Sequence, residues 1–302
     1  MFSDIFFGMQ SVSIVGIGRL GGALALALSR AGYSVENLVY RFSVPEVIAG
    51  MISPLPNLIA FENLKGLKSD AIFITSADPD IEAISSHLSS KIKNKPVVFH
   101  ASGSLSSAIL SELADVGCAI GSMHPLVSIS DPMRGSESFA GTFFCIEGSD
   151  KAVSAAKEMV GKLGGNAFSI ETRFKSLYHA AAVIASGHLV ALMDIATETL
   201  SKCGIGLEEA KRILMPLIKS TVENLEKQRN ANALTGTFAR ADEAAFERHL
   251  RALSENVPDE IIRIYLELGT RSLDLAESFG QPAESVHKVR EGIKLALGPA
   301  KC

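Results

Sequence analysis

The sequence predicts a doubly wound α/β sheet followed by an all-α helical domain. Three observations carry that prediction. Short β-branched runs alternate with amphipathic segments through the first half of the chain, the pattern that builds a mostly parallel sheet with helices on both faces. A glycine-rich turn, Gly16-Ile17-Gly18-Arg19-Leu20-Gly21, joins the first such run to the first amphipathic one. After about Thr172 the strand-like runs stop, and a 3.6-residue period takes over.

The elements follow in order. SVSIVGIG (11–18) reads as a strand, and RLGGALALALSRAG (19–32) as a helix closed by Gly32. ENLVYRF (36–42) and AIFITSA (71–77) are the next strands, PDIEAISSHLSS a helix, and KPVVFHASG (95–103) a further strand. CAIGSMHPL (118–126) and TFFCIEG (142–148) continue the series, with a helix near 150–163 and a last strand at NAFSI (166–170). Helical periodicity then holds through 173–202, 207–229, 241–253 and 258–278, and Pro216 is expected to kink or interrupt the second of these. The expected division is a nucleotide-binding domain over 1–168 and a helical domain, for substrate and dimerisation, over 169–302.

Composition narrows the class. Of 302 residues, 47% are apolar and 21% charged, a globular rather than a disordered balance. The net charge of −4 and the lack of a long basic run argue against nucleic acid as a partner. Cys118, Cys145, Cys203 and Cys302 are scattered, with no CxxC pair. That spacing suits a reducing compartment, and neither a disulfide framework nor a cysteine metal site. The opening MFSDIFFGMQ has no basic region, carries Asp4 early and has too short an apolar part for a signal peptide. It reads as a short extension before the first strand of a cytoplasmic protein.

The glycine turn carries the first chemistry. Gly16 permits a tight turn, Gly18 lets backbone approach a pyrophosphate, and Gly21 allows close helix–strand packing. The diphosphate then meets the free N–H groups and the dipole of a helix start. Strand-to-helix context makes this a dinucleotide site of the Rossmann type. An NAD site places Asp or Glu at the end of the second strand, whereas here that strand ends Tyr40-Arg41-Phe42-Ser43. Arg41 can pair with a 2′-phosphate through two prongs and Ser43 can add a donor, so the expected cofactor is NADP (NADPH), with NAD the lesser alternative. Thr75-Ser76-Ala77 ends another strand at the same crevice, and Ser102 and His124 follow or end the next two.

GIGRLGGALALAL, ITSADPDI, VFHASGSL, GSMHPL, LYHAAAVIASGHLVAL and ALTGTFARAD occur in this order. Together they resemble a bacterial family of uncharacterised Rossmann-like proteins with a helical C-terminal domain. That family is similar to ketopantoate reductases, 3-hydroxyisobutyrate dehydrogenases, pyrroline-5-carboxylate reductases and deazaflavin-linked NADP reductases. The resemblance spans about residues 11–270 and implies a nicotinamide-dependent oxidoreductase. Sliding the lysine-containing helix of ketopantoate reductases onto LYHAAAVIASGHLVAL puts His179 at the lysine position. Val183 and Gly187 then fall where those relatives carry amides.

A carbonyl accepting hydride needs a proton donor on its oxygen, a role His179 fits. On one continuous helix Ser186 lies within about 20° of His179 and Gly187 within about 80°, whereas His188 is about 180° away. His179 and Ser186 are therefore the candidate catalytic pair, and Gly187 leaves room for substrate. A packed core histidine is the other reading of His179. The uncharged run holds Tyr, His and Ser, which are costly in lipid, so it is expected to be a core helix at the centre of the helical domain or at a dimer interface. In ALTGTFARADEAAFERHL, Asp242 can cap the following helix, and Arg240 can either hold a substrate carboxylate or tie its loop down. No histidine or carboxylate spacing suggests a metal.

The reading is an NADPH-dependent reductase of a small 2-oxo acid, acting as a homodimer. His179 would donate the proton, Ser186 and His124 would orient the oxygen, and Ser102, Gly187 and Arg240 would complete the substrate site. An imine reductase and a non-catalytic NADP-binding protein are the alternatives.

Overall fold

The structure is a computed structural model and describes residues 9–298. Residues 1–8 of the extension before the first strand, and Cys302, lie outside the described residues. The chain forms two compact units, the first running to Ser186 and the second starting at Gly187. The expected division at 168/169 lies one helix earlier.

The first unit holds an eight-stranded sheet: β1 (Ser11–Val15), β2 (Ser34–Tyr40), β3 (Asn57–Ala60), β4 (Ala71–Ile74), β5 (Val97–His100), β6 (Ala119–Pro125), β7 (Phe143–Gly148) and β8 (Asn166–Phe168). The spatial order is 3-2-1-4-5-6-7-8. All neighbours are parallel except β6 and β7, which run antiparallel. β4 (AIFI) and β5 (VVFH) are buried at every residue, as expected of parallel strands covered on both faces. β3 is the strand that the sequence pattern does not announce. Its four residues, NLIA, follow Pro54 and Pro56 and sit half-exposed at the sheet edge, where no alternation has room to develop.

Helices α1 (Arg19–Arg30), α2 (Glu46–Gly50), α3 (Ile81–Ser89), α4 (Ser111–Asp115), α5 (Pro132–Gly135) and α6 (Asp150–Lys162) surround this sheet. α1 buries a continuous run from Gly21 to Leu28. Its three leucines each contribute about 1.5–3 kcal/mol by leaving water. A Cβ at Gly22 would stand 3.0 Å from Pro132 Cβ, so the small residue sets how closely α1 and α5 approach. The unit ends with α7 (Lys175–Ala185).

The second unit is helical: α8 (Gly187–Ser201), α9 (Leu207–Lys227), α10 (Asn230–Ala233), α11 (Glu243–Asn256), α12 (Asp259–Ser278) and α13 (Ala283–Leu297). Phe246, Leu266, Leu273, Val286, Val289 and Ile293 form its core. Gly269 admits the Phe238 ring, whose Cζ would lie 2.6 Å from an added Cβ. Asp242 caps α11 as anticipated, its Oδ1 accepting from Ala245 N at 3.0 Å. α9 runs through Pro216 without a break. The proline costs one backbone donor there but does not interrupt the helix.

The uncharged run differs from its expected role. It is no single core helix. Ser186 (φ −119°, ψ −70°) ends α7, and α8 begins at Gly187. Its most apolar window is only 6% buried, and by length and composition alone Thr172–Ser201 would be enough to cross a membrane. Ile184 (64% exposed) and Val190 (70%) illustrate how much apolar surface the run leaves uncovered.

Candidate active site

The carboxyl ends of β1, β4, β5 and β6 converge beside the start of α1, and the site is built there. β1 leads into Gly16, whose φ of +99° is a conformation that favours glycine. A Cβ at Gly16 would stand 2.5 Å from Ser76 Oγ, and one at Gly21 would overlap the Gly16 carbonyl. Thr75 Oγ1 donates to that same carbonyl at 2.6 Å, tying the turn to β4. Gly18 caps α1, and an added Cβ there would meet nothing within 4 Å. The turn is therefore packed from below and open above, the shape a pyrophosphate needs at a helix start.

Two cavities flank the turn. The first, of about 440 Å³, is lined by Gly16, Ile17, Gly18, Arg41, Ser43, Thr75, Ser76 and Ala77, together with Phe61 and Asp80. The second, of about 320 Å³, is lined by Arg19, Leu20, Thr75, Ser76, Asp78, Ser102, Gly103, His124 and His179. Thr75 and Ser76 are common to both. Every residue expected from the sequence to bind cofactor thus lines one cavity or the other, except Gly21, which packs beneath the turn.

His124 and His179 meet over Gly103 with their rings edge to face, centroids 5.7 Å apart. A Cβ on Gly103 would lie 2.5 Å from His179 Nδ1 and 2.9 Å from His124 Nε2. His124 Nδ1 is 2.7 Å from the Tyr178 hydroxyl. Burial, reinforced by the nearby His179 and by the Lys175 charge, lowers His124 to about 4, so its ring is neutral at physiological pH. Burial raises the Tyr178 hydroxyl above its ordinary value, so it keeps its proton. His179 Nδ1 is buried and has no hydrogen-bond partner among the described residues.

A charged layer lies behind the histidines. Lys175 is 1% exposed. Its Nζ donates to Ser122 Oγ and, at 3.2 Å, to the Ser102 carbonyl, and stands 3.8 Å from Glu147 Oε1. Glu147 also accepts from Ser107 N at 2.6 Å and from Ser107 Oγ at 3.0 Å. Burial pulls Lys175 below its ordinary value, with Glu147 opposing. On the facing side, Asp78 Oδ2 accepts from the hydroxyls of Ser102 (2.8 Å) and Ser104 (2.7 Å), which locks the β4 and β5 ends together.

Ser186 does not share this site. It is exposed at the end of α7, seven residues and about 10 Å of helix rise beyond His179, and it is absent from the lining of the cavity. The angle that paired it with His179 leaves out the rise along the axis, which carries Ser186 about two turns beyond the histidine. Gly187 and Arg240 belong to the second unit. Arg240 is exposed, with no side-chain hydrogen bond or ion pair among the described residues. His188 is exposed as well.

Sequence reasoning missed Lys175 and Tyr178 as site residues, and it placed Asp78 and Gly103 at the crevice without giving either a role. For Lys175 a signal existed: it lies four residues before His179, on the same helix face, and opens an otherwise uncharged run. Among the described residues no group of three or more His, Cys, Asp or Glu side chains could hold a metal.

Comparison with known proteins bears on this architecture. The chain is similar in structure to BF3122 of Bacteroides fragilis, described as a candidate NADP oxidoreductase, at 19% identity and a TM-score of 0.72 over 88% of this chain and 98% of that one. It is also similar to protein TM1727 of Thermotoga maritima, at 24% identity and a TM-score of 0.68 over the same shares. A Plasmodium falciparum pyrroline carboxylate reductase, solved with NADP bound, aligns at 15% identity and a TM-score of 0.53 over 95% and 98%. At these identities the likeness establishes a shared fold. No curated protein matches the chain. Residues 2–125 match the model of a Rossmann-like domain, and residues 142–272 match that of DUF2520, a domain of unknown function.

Proposed function

We propose that the protein is an NADP-dependent oxidoreductase that reduces a small carbonyl or imine compound. One observation carries this reading: two cavities share Thr75 and Ser76 beneath an open glycine turn, and the second holds a converging pair of histidines. The first cavity has the residues for a phosphorylated adenosine, with Arg41 and Ser43 at its rim. The turn suits the diphosphate. When bound, the nicotinamide supplies hydride, and the second cavity is where this chain would present a substrate to it.

Within that cavity the histidines divide the work. With the Tyr178 hydroxyl as donor to His124 Nδ1, the neutral ring carries its proton on Nε2 and can donate a hydrogen bond there. His179 gives a proton to the oxygen of a 2-oxo acid, the role assigned to it on chemical grounds. Ser102 and Gly103 form the floor, and Arg19, in the same cavity, is placed to hold a carboxylate. An imine is the second reading, favoured by Asp78 in this cavity and by the neutrality of His124. A protonated imine arrives with its proton and gains from a nearby carboxylate, so it demands no strong acid. The pyrroline carboxylate reductase of the same fold gives this reading a precedent.

We further propose a homodimer, in which a second copy covers the apolar surface of α7, α8 and α9, and a cytoplasmic setting in which Cys118 and Cys145 stay reduced. NADPH oxidation measured against 2-oxo acids and cyclic imines, with His179→Ala beside the wild type, tests the enzyme. Turnover of either class, lost in the variant, supports it. Tight NADPH binding with no turnover across the panel would favour a binding protein, and absence of NADPH binding would overturn the reading.

A further inference from the structure

Arg41 is not a free cation. Its Nη1 lies 3.4 Å from Asp80 Oδ1, and its guanidinium rests 5.3 Å from the centre of the Phe42 ring. Arg41 and Asp80 both line the first cavity, and they reach it from the ends of different strands. Arg41 follows β2, whereas Asp80 ends the single helical turn Asp78–Asp80 that follows β4. The carboxyl end of the second strand, Tyr40-Arg41-Phe42-Ser43, brings no carboxylate, so Asp80 is the acid in the lining of this cavity.

We propose that Asp80 sets the cofactor preference of this site, by pairing with Arg41 against a 2′-phosphate and by offering an acceptor to a 2′-hydroxyl. The inference rests on the nucleotide reading above. A 2′-phosphate carries close to two negative charges and is held best by both prongs of a guanidinium. To take it, Arg41 must leave Asp80, and the carboxylate then faces the phosphate as a like charge. With a 2′-hydroxyl the balance reverses. The ion pair can stay, and the carboxylate accepts a hydrogen bond from the hydroxyl, as the second-strand acid does in NAD-specific sites. The chain therefore carries a brake on its own selectivity for NADP. Both side chains are about half exposed. At that exposure the brake is worth about three- to tenfold in relative affinity.

Calorimetry with 2′,5′-ADP and 5′-AMP, on wild type, Asp80→Asn and Asp80→Ala, separates the outcomes. The expected result is a three- to tenfold rise in the ratio of 2′,5′-ADP to 5′-AMP affinity in both variants, shrinking as salt is raised. A ratio unchanged within twofold, or a weaker hold on 2′,5′-ADP, would show that Asp80 is neutral or positions Arg41 for the phosphate, and would overturn the proposal while leaving the nucleotide site intact. If the wild type binds neither probe, the nucleotide reading itself fails, and the inference with it.

Discussion

Gly103→Ala isolates the histidine pair from everything else in the first unit. Gly103 is buried, and its backbone is not in the left-handed region, so alanine adds only a methyl group and no strain of its own. That methyl would stand 2.5 Å from His179 Nδ1 and 2.9 Å from His124 Nε2. An ordinary carbon–nitrogen contact needs about 3.5 Å, so His179 must retreat by about 1 Å and His124 by somewhat less. A 1 Å misplacement of a reacting group costs about 10²-fold in rate. Cofactor affinity should hold within about twofold, because Gly103 is absent from the lining of the first cavity. Two measurements are needed: turnover of the substrate that the wild type reduces, and nitrogen NMR of the histidine rings. The expectation is a hundredfold loss of kcat, with the signals of both rings displaced. A variant retaining kcat within threefold, or with His124 and His179 signals unmoved, would refute the convergence of the two rings on Gly103.

Acid should destabilise the fold before its carboxylates titrate. Burial lowers His100 to about 4; its native ring then refuses a proton that the unfolded chain accepts near 6.5, so stability present above pH 6.5 is lost as the pH falls toward 4. The loss is about 3 kcal/mol for this residue by pH 4. Urea midpoints across that range should fall, with a shallower slope in His100→Asn, and equal slopes would count against burial as the cause. Lys175→Met should cost about 3 kcal/mol, because it leaves Glu147 charged and buried without its cation. The double variant with Glu147→Gln should recover part of that in urea unfolding; strict additivity would argue that the two groups do not interact. Light scattering should give a dimer, and charging the 63%-exposed Leu217 of α9 as Leu217→Lys should shift it toward monomer. A monomeric wild type would remove the second copy as the cover for that surface.

The parts of the site that could be read from the sequence are those whose chemistry is local. The glycine turn announces itself because Gly16, Gly18 and Gly21 each answer a separate steric demand within six residues. Arg41 is legible because the position after the second strand has a known job. His124 and His179 stand out as unusual residue types in apolar surroundings. Other features depend on contacts that sequence spacing does not encode. Lys175 at a helix start reads as a solvated charge until β5, β6 and β7 are seen to close over it. Asp80 gains meaning only when the turn after β4 is placed opposite β2. Ser186 lies apart for the complementary reason: its periodicity is correct, but a shared helix face does not bring together residues about two turns apart along the axis. β3 and the exposure of α7 and α8 are likewise set by neighbours rather than by pattern.

The layering of the second cavity carries its own argument about proton traffic. Lys175, buried with Glu147, is a fixed positive charge behind the histidines, and it works with burial to keep His124 neutral. A neutral His124 backed by Tyr178 can donate a hydrogen bond, yet it is a poor source of a whole proton at physiological pH. His179 stands apart from that bond, and its Nδ1 is buried with no hydrogen-bond partner among the described residues. A substrate oxygen or nitrogen placed against it would give it one. On the proposed reading, orientation falls to His124 and proton transfer to His179. The separation predicts unequal phenotypes. His124→Gln, which keeps a donor, should raise KM more than it lowers kcat, whereas His179→Gln should lower kcat with KM little changed. Equal effects on both parameters would show instead that the two rings act as one unit.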